Sequence, residues 1–297
     1  MDRAIRALPF GSFMQETIHQ PRSASIWTYA HPGRLGASLW AQRDLILQLV
    51  QREIAARYKT TFFGLIWPLL MPLLMLCIYT FVFGQIFEAR WDMANSPSLF
   101  EFSLTLYCGL IVFNVFSETV VSATTIIVIN PNYVKKVVFP LEVLPIASLG
   151  VALFHFALSF CILLPGVIVF LKIHHFSMLL FPLAVLPVIP LTLGLAWATA
   201  ALGVFVRDLA TAMGFLVQVL LYGSPVFYPL TQVKDPYRVV LWFNPLTHII
   251  EAGRRTLLWG RPPQWIPWSV TFGFTLLVMV GGYMLFMRSR RAFSDIV

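Results

Sequence analysis

Side chains able to do chemistry are few in this sequence and lie far apart. The sharpest is Glu118, an ionisable group inside a long apolar run, with Asn114 one helical turn before it. A carboxylate within a bilayer is costly and usually faces a bundle interior or a wet cavity. The pair therefore points either to structural hydrogen bonding or to a transport path. His155 stands alone in another apolar run and reads as a hydrogen-bonded packing residue, not as a proton relay. The lysine pair Lys135 and Lys136 falls in the polar stretch NPNYVKKVVFPLEVLP, residues 130–145, between two long apolar segments. Lysines beside membrane spans favour the cytoplasmic side, so this loop is the natural place for a cytoplasmic partner to grip.

The residue patterns of an enzyme are missing. No glycine is followed by lysine, so the chain has no phosphate cradle of the GxxxxGK[ST] kind and cannot bind ATP by that route. GxSxG and HExxH are absent, and no Asp/Glu pair converges, which leaves hydrolysis without a carrier. Cys77, Cys108 and Cys161 sit singly in separate apolar runs, without metal-ligand spacing and in an odd number that builds no disulfide framework. One clear intramembrane carboxylate and no obvious inverted repeat argue against a proton-coupled carrier. A membrane-embedded transferase would need clustered carboxylates or histidines at the membrane surface. A transport protein of this composition must borrow its energy from another subunit.

The elements that would position these residues are membrane helices. Hydrophobic residues make up 58% of the 297 and charged ones 11%, where a soluble domain has about 25% charged. Several apolar runs exceed the roughly 20 residues that cross a bilayer. The net charge of +8 gathers beside these runs, which topology explains better than nucleic acid does. The expected fold is an all-α polytopic membrane protein with six transmembrane helices, an N-terminal amphipathic interface helix and an outer re-entrant helical segment.

In chain order, residues 1–35 read as a cytoplasmic tail, 36–60 as the interface helix, 61–288 as the transmembrane domain and 289–297 as a cytoplasmic C-tail. Ile46, Leu47, Val50, Ile54 and Tyr58 form one broad arc of the interface helix, opposite Gln48, Arg52 and Lys59, with Glu53 and Arg57 paired at its edge. A basic amphipathic helix before a span lies along the membrane surface. Spans are expected at about 62–87, 103–129, 146–171, 178–206, from the turn after Arg207 and Asp208 to about 221, and 265–287. Pro68 and Pro72 should kink the first, and Pro182, Pro187 and Pro190 make the first half of the fourth irregular. No cleavable signal peptide precedes them, and the first span serves as the insertion signal. Residues 230–265 carry five basic groups yet fall outside by parity, and fit two short helices that dip in and return, broken at Asn244–Pro245. Fourteen of the 21 Lys and Arg residues lie on segments placed inside, which puts both termini in the cytoplasm.

Four ordered motifs resemble one family. RDLILQLVQREIAARYKTTFFGLIWPLLMPLL at 43–74 resembles the start of the membrane subunit (permease) of bacterial polysaccharide ABC exporters, the O-antigen-exporting type. NPNYVKKVVFPLEVLP is similar to that family's central cytoplasmic loop. SPVFYPL at 224–230 and WFNPLTHIIEAGRRTLLWG at 242–260 are similar to its outer re-entrant segment. The resemblance runs from about residue 38 to the C-terminus and leaves the first 35 residues without a counterpart.

The resemblance implies a homodimer in the bacterial inner membrane, paired with two copies of a separate ATPase that binds ATP and Mg. This chain would hold no cofactor of its own and would translocate a polyprenyl-pyrophosphate-linked polysaccharide. It assigns ATPase coupling to Asn130, Pro131, Lys135, Lys136, Phe139 and Pro140. Arg52, Arg57, Tyr58 and Lys59 would line a cytoplasmic entrance near the pyrophosphate, whose charge Arg and Lys bind through charge-assisted hydrogen bonds. Glu251, Arg254 and Arg255 would form a periplasmic gate. A glycan path also needs aromatic faces, for which Trp67, Tyr79, Phe113, Phe116, Tyr222 and Tyr228 are candidates; packing or an interfacial belt is the competing reading. Export of capsule, teichoic acid, lipid or drug by the same architecture is the alternative, with a membrane transferase more remote.

Overall fold

The computed structural model describes residues 36, 40–59, 66–86, 99–135, 139–172 and 174–296. The tail 1–35, residues 87–98 and Lys136 lie outside the described residues. Among the described residues the chain is helical throughout, with no strand.

Helix α1 is Arg43–Tyr58, followed by α2, Trp67–Tyr79, which loosens into a π-helical turn at Thr80–Ile86. Helix α3, Leu99–Ala123, leads through turns at 124–129 to the short α4, Pro131–Val134. Then come α5, Val143–Phe170, a 3-10 turn at Phe176–Leu180, α6, Phe181–Val185, and α7, Val188–Phe205. Helix α8 is Leu209–Tyr222, α9 Tyr237–Trp242, α10 Pro245–Leu257, α11 Trp265–Ser289 and α12 Phe293–Ile296.

Among the described residues, four stretches are long and apolar enough to cross a membrane: Phe100–Ala123, Val143–Phe170, Phe176–Phe205 and Trp265–Ala292. Trp67–Phe83 and Leu209–Tyr222 are apolar but shorter. Helix α8, with 14 residues, reaches about 21 Å at 1.5 Å per residue, short of a hydrocarbon core of about 30 Å. The expected second span also stops early, at Ala123 and not near 129, where Thr124 turns its hydroxyl onto the carbonyl of Val121 at 2.6 Å. The fourth expected span is broken in its first half into a 3-10 turn, α6 and a turn at 186–187, as its prolines require.

Helix α3 is the centre of the bundle. Of its apolar window 78% is buried, against 17% for α5 and 28% for α11. Helices α7 and α11 touch backbone to backbone. A Cβ on Gly282 would stand 1.9 Å from the Gly194 carbonyl oxygen, so only glycine lets the two backbones touch. Near this contact Trp197, fully buried, packs edge-on to Tyr283 with ring centres 5.0 Å apart.

Helix α1 lies against α5. Ile46, Leu49, Val50, Ile54 and Tyr58 are half-buried there, and Val50 sits over Gly150. Leu47, expected on the packed arc, is 57% exposed.

Candidate functional site: a polar cavity at the end of the interface helix

Near the bundle end that carries α4, the C-terminal turn of α1, the start of α2, α3 and α5 enclose a cavity of about 450 Å³. Its polar rim is Arg57, Tyr58, Asn114, Ser117, Glu118, His155 and Ser159. Its apolar wall includes Trp67, Pro68, Met71, Pro72, Ile111 and Phe156. Asn114, Ser117 and Glu118 share the cavity because residues three and four apart share a helix face. Phe113 and Phe116, turned off that face, are each 2% exposed and packed in the core. They present no surface to a channel, which corrects their expected place in a glycan path.

Five charged or polar side chains from three helices form one chain of contacts at the rim. Arg57 donates to Glu118 Oε1 at 2.5 Å and to Glu53 Oε1 at 3.0 Å. The His155 ring bridges Glu118 and Tyr58, with Nδ1 2.8 Å from Glu118 Oε2 and Nε2 2.7 Å from the Tyr58 hydroxyl. Burial works against the Arg57 charge, but the hydrogen bond and charge of Glu118, seconded by Glu53, outweigh it and raise its pKa above the ordinary arginine value. Arg57 and Tyr58, expected at the entrance, thus meet Glu118 and His155, which sequence reasoning had treated as separate packing groups. Spacing within one segment cannot show a contact between residues 61 or 97 positions apart.

The central loop is held from three sides. Asn130 donates to the Ile126 carbonyl at 2.9 Å and precedes Pro131, the first residue of α4. Tyr133 stacks on Phe139, ring centres 4.3 Å apart and 15° from parallel. Arg52 of α1 donates to the Tyr133 hydroxyl and lies over its ring at 5.6 Å. Arg290, beyond α11, donates to the Phe139 carbonyl at 2.9 Å and to Glu142 Oε2 at 3.0 Å, while Trp197 donates to the Glu142 carbonyl at 3.0 Å. Lys135 closes α4 and is exposed, as is Lys59 at the end of α1; Pro140 is half-buried. Tyr133, Glu142, Trp197 and Arg290 went unnoticed in the sequence. Only the aromatic at 133 beside one at 139 offered a signal.

At the opposite end, α10 is packed inward. Arg254 is fully buried and donates to the carbonyls of Thr105 at 3.2 Å, Pro225 at 2.5 Å and Val226 at 2.7 Å, and to Glu251 Oε1 at 3.1 Å. An arginine so enclosed ties the SPVF turn to α3. Arg255 is half-exposed, with Nε 3.4 Å from the Pro262 carbonyl. Asn244 caps α10 by accepting from the Leu246 amide at 3.0 Å and donates to Ser224 at 2.8 Å, which fixes the break between α9 and α10. Tyr79, Tyr222 and Tyr228 gather here. Tyr79 and Tyr222 pack on Phe227 with ring centres 6.3 and 5.6 Å away, and the Tyr228 hydroxyl donates to the Tyr222 carbonyl at 3.0 Å.

No group of three potential metal-binding side chains occurs among the described residues. A family model described as ABC-2 type transporter matches residues 44–258. The chain belongs to the ABC-2 type transporter family. The match covers the interface helix, the cavity, the central loop and the buried arginine of α10. Among its relatives, the O-antigen export system permease protein RfbA of Myxococcus xanthus is 27% identical over 264 residues, 88% of this chain and 98% of that protein. The protein of the same name from Klebsiella pneumoniae is 24% identical over 86% of this chain and 95% of its own length. The polysialic acid transport protein KpsM of Escherichia coli is 24% identical over 84% of this chain and 95% of its own length.

Proposed function

We propose that this chain is the transmembrane subunit of an exporter that carries a lipid-linked polysaccharide of the O-antigen type across the bacterial inner membrane. The observation that carries this reading is the near end-to-end match, 95% and 98% of their lengths, to permeases named for O-antigen export. The absence of any nucleotide cradle in the sequence makes the energy source a second protein. Two copies of this chain would pair with two copies of an ATPase that holds ATP and Mg, with both termini of each chain in the cytoplasm. Residues 230–265 would re-enter the membrane from the far side, adding short elements to the four long ones.

Within this reading the central loop passes the ATPase's motion to the bundle through Asn130, Pro131, Lys135, Lys136, Phe139 and Pro140. Its links to Arg52 and Arg290 support it, because a loop held by both the interface helix and the end of α11 can move both. Arg52, Arg57, Tyr58 and Lys59 would line the entrance for a pyrophosphate headgroup. Glu251 and Arg255 would face the outer exit on a segment anchored by Arg254, and Trp67, Tyr79, Tyr222 and Tyr228 would offer rings to the glycan. Export of a capsule-type glycan is the second reading, favoured by the likeness to a polysialic acid transport protein.

Co-expression with the neighbouring ATPase tests the proposal. The two should purify together and hydrolyse ATP, and changing Lys135 and Lys136 together to Glu should abolish both. A chain that purifies alone, indifferent to the change, would sink the mechanism.

A further inference from the structure

Arg57 sits between two carboxylates, Glu118 on one terminal nitrogen and Glu53 on the other. An anion that takes both terminal nitrogens competes with these carboxylates. The geometry makes one displacement easy. Glu118 is shared between partners on two different helices, Oε1 on Arg57 of α1 and Oε2 on His155 of α5. If Arg57 leaves, Glu118 keeps His155, and His155 keeps Tyr58. The half-buried carboxylate is not orphaned, which is the outcome that makes breaking a buried pair costly. Arg57 itself is 35% exposed, so its guanidinium can be reached. Behind it lies the 450 Å³ cavity walled by Trp67, Met71, Ile111 and Phe156, wide enough for the first units of a branched hydrocarbon chain.

Resting on the export reading above, in which Arg57 meets the pyrophosphate headgroup, we infer that Glu118 is the internal anion which that headgroup replaces on Arg57, with the first part of its single lipid chain in the cavity. The chain lies against the apolar wall, and the pyrophosphate takes the guanidinium in bidentate fashion. Glu118 then stays on His155, and α1 loses one of its ties to α3. Glu118 is thus a positioning residue that sets the threshold for the headgroup.

The test is binding of farnesyl pyrophosphate to the full-length chain in detergent micelles, followed by calorimetry. Glu118→Gln should tighten binding about ten-fold, since a charge-assisted hydrogen bond no longer competes. Glu53→Gln, on the accessible side of α1 where folding is not at stake, should tighten it about two- to three-fold. Arg57→Gln should abolish it. A Glu118 that served structure alone would give unchanged or weaker binding in Glu118→Gln and Glu53→Gln, and that result overturns the competition. Inorganic pyrophosphate binding as tightly as the farnesyl probe would overturn the role of the cavity wall. Equal competition by phosphatidylglycerol in mixed micelles would overturn the preference for a single chain and leave a general lipid contact. If the wild type fails to bind the probe while the co-expressed complex exports glycan, this site falls and the export reading stands. If export fails as well, both fall.

Discussion

Two arginine–carboxylate pairs, one near each end of the bundle, do opposite things. Arg254 is 0% exposed and its partner Glu251 18%, whereas Arg57 is 35% exposed and Glu118 26%. Arg254 spends its donors on three backbone carbonyls besides Glu251, so its geometry is set by main chain that cannot move alone. Arg57 holds only side chains, and one of them has another partner waiting. Similar charges thus make a rivet in one place and an exchangeable latch in the other. What separates them is the acceptor set and access to solvent, not the residue types.

The largest effect should come from the rivet. Arg254→Ala strands Glu251 and three carbonyls in the interior, a loss of roughly 3–5 kcal/mol. Thermal unfolding in detergent should show it as collapse of the folded population. Next is Gly282→Ala, whose methyl meets the Gly194 carbonyl oxygen; overpacking of this kind costs about 1–3 kcal/mol, and the same assay should report a lower midpoint. Arg57→Gln should change stability by less than about 1 kcal/mol, as partly exposed pairs do, while it removes farnesyl pyrophosphate binding. An Arg57 variant as unstable as the Arg254 one would erase the contrast. The most local effect belongs to Tyr133→Phe, which keeps the stack on Phe139 and loses the hydroxyl that accepts from Arg52. A local loss of about 1 kcal/mol should appear as faster amide exchange confined to residues 130–135, with the α10 segment unchanged.

Much of this arrangement could be read along the chain, and the limits are instructive. The Glu53–Arg57 pair, the break at Asn244–Pro245 and the proline-broken start of the fourth apolar run all follow from local spacing, and all are present. The packed face of α1 follows the apolar arc except at Leu47, which is 57% exposed. Phe113 and Phe116 were placed by residue type, as aromatic faces. Type does not distinguish a buried side chain from a lining one when every neighbour on the helix is apolar.

By itself the sequence determined that the chain is helical and membrane-embedded, that its central loop is polar and basic, and that it has no GxxxxGK[ST] motif. These follow from composition, period and the lack of a motif, each readable over fewer than about 30 residues. The tertiary structure alone decided which polar groups meet: Arg57 with Glu118, His155 with Glu118 and Tyr58, Arg52 with Tyr133, Arg290 with Glu142, Arg254 with the carbonyls of the SPVF turn. Such pairs join segments 28 to 148 residues apart. In an apolar medium each polar group must find whatever partner the packing brings within reach, and packing depends on all the helices at once.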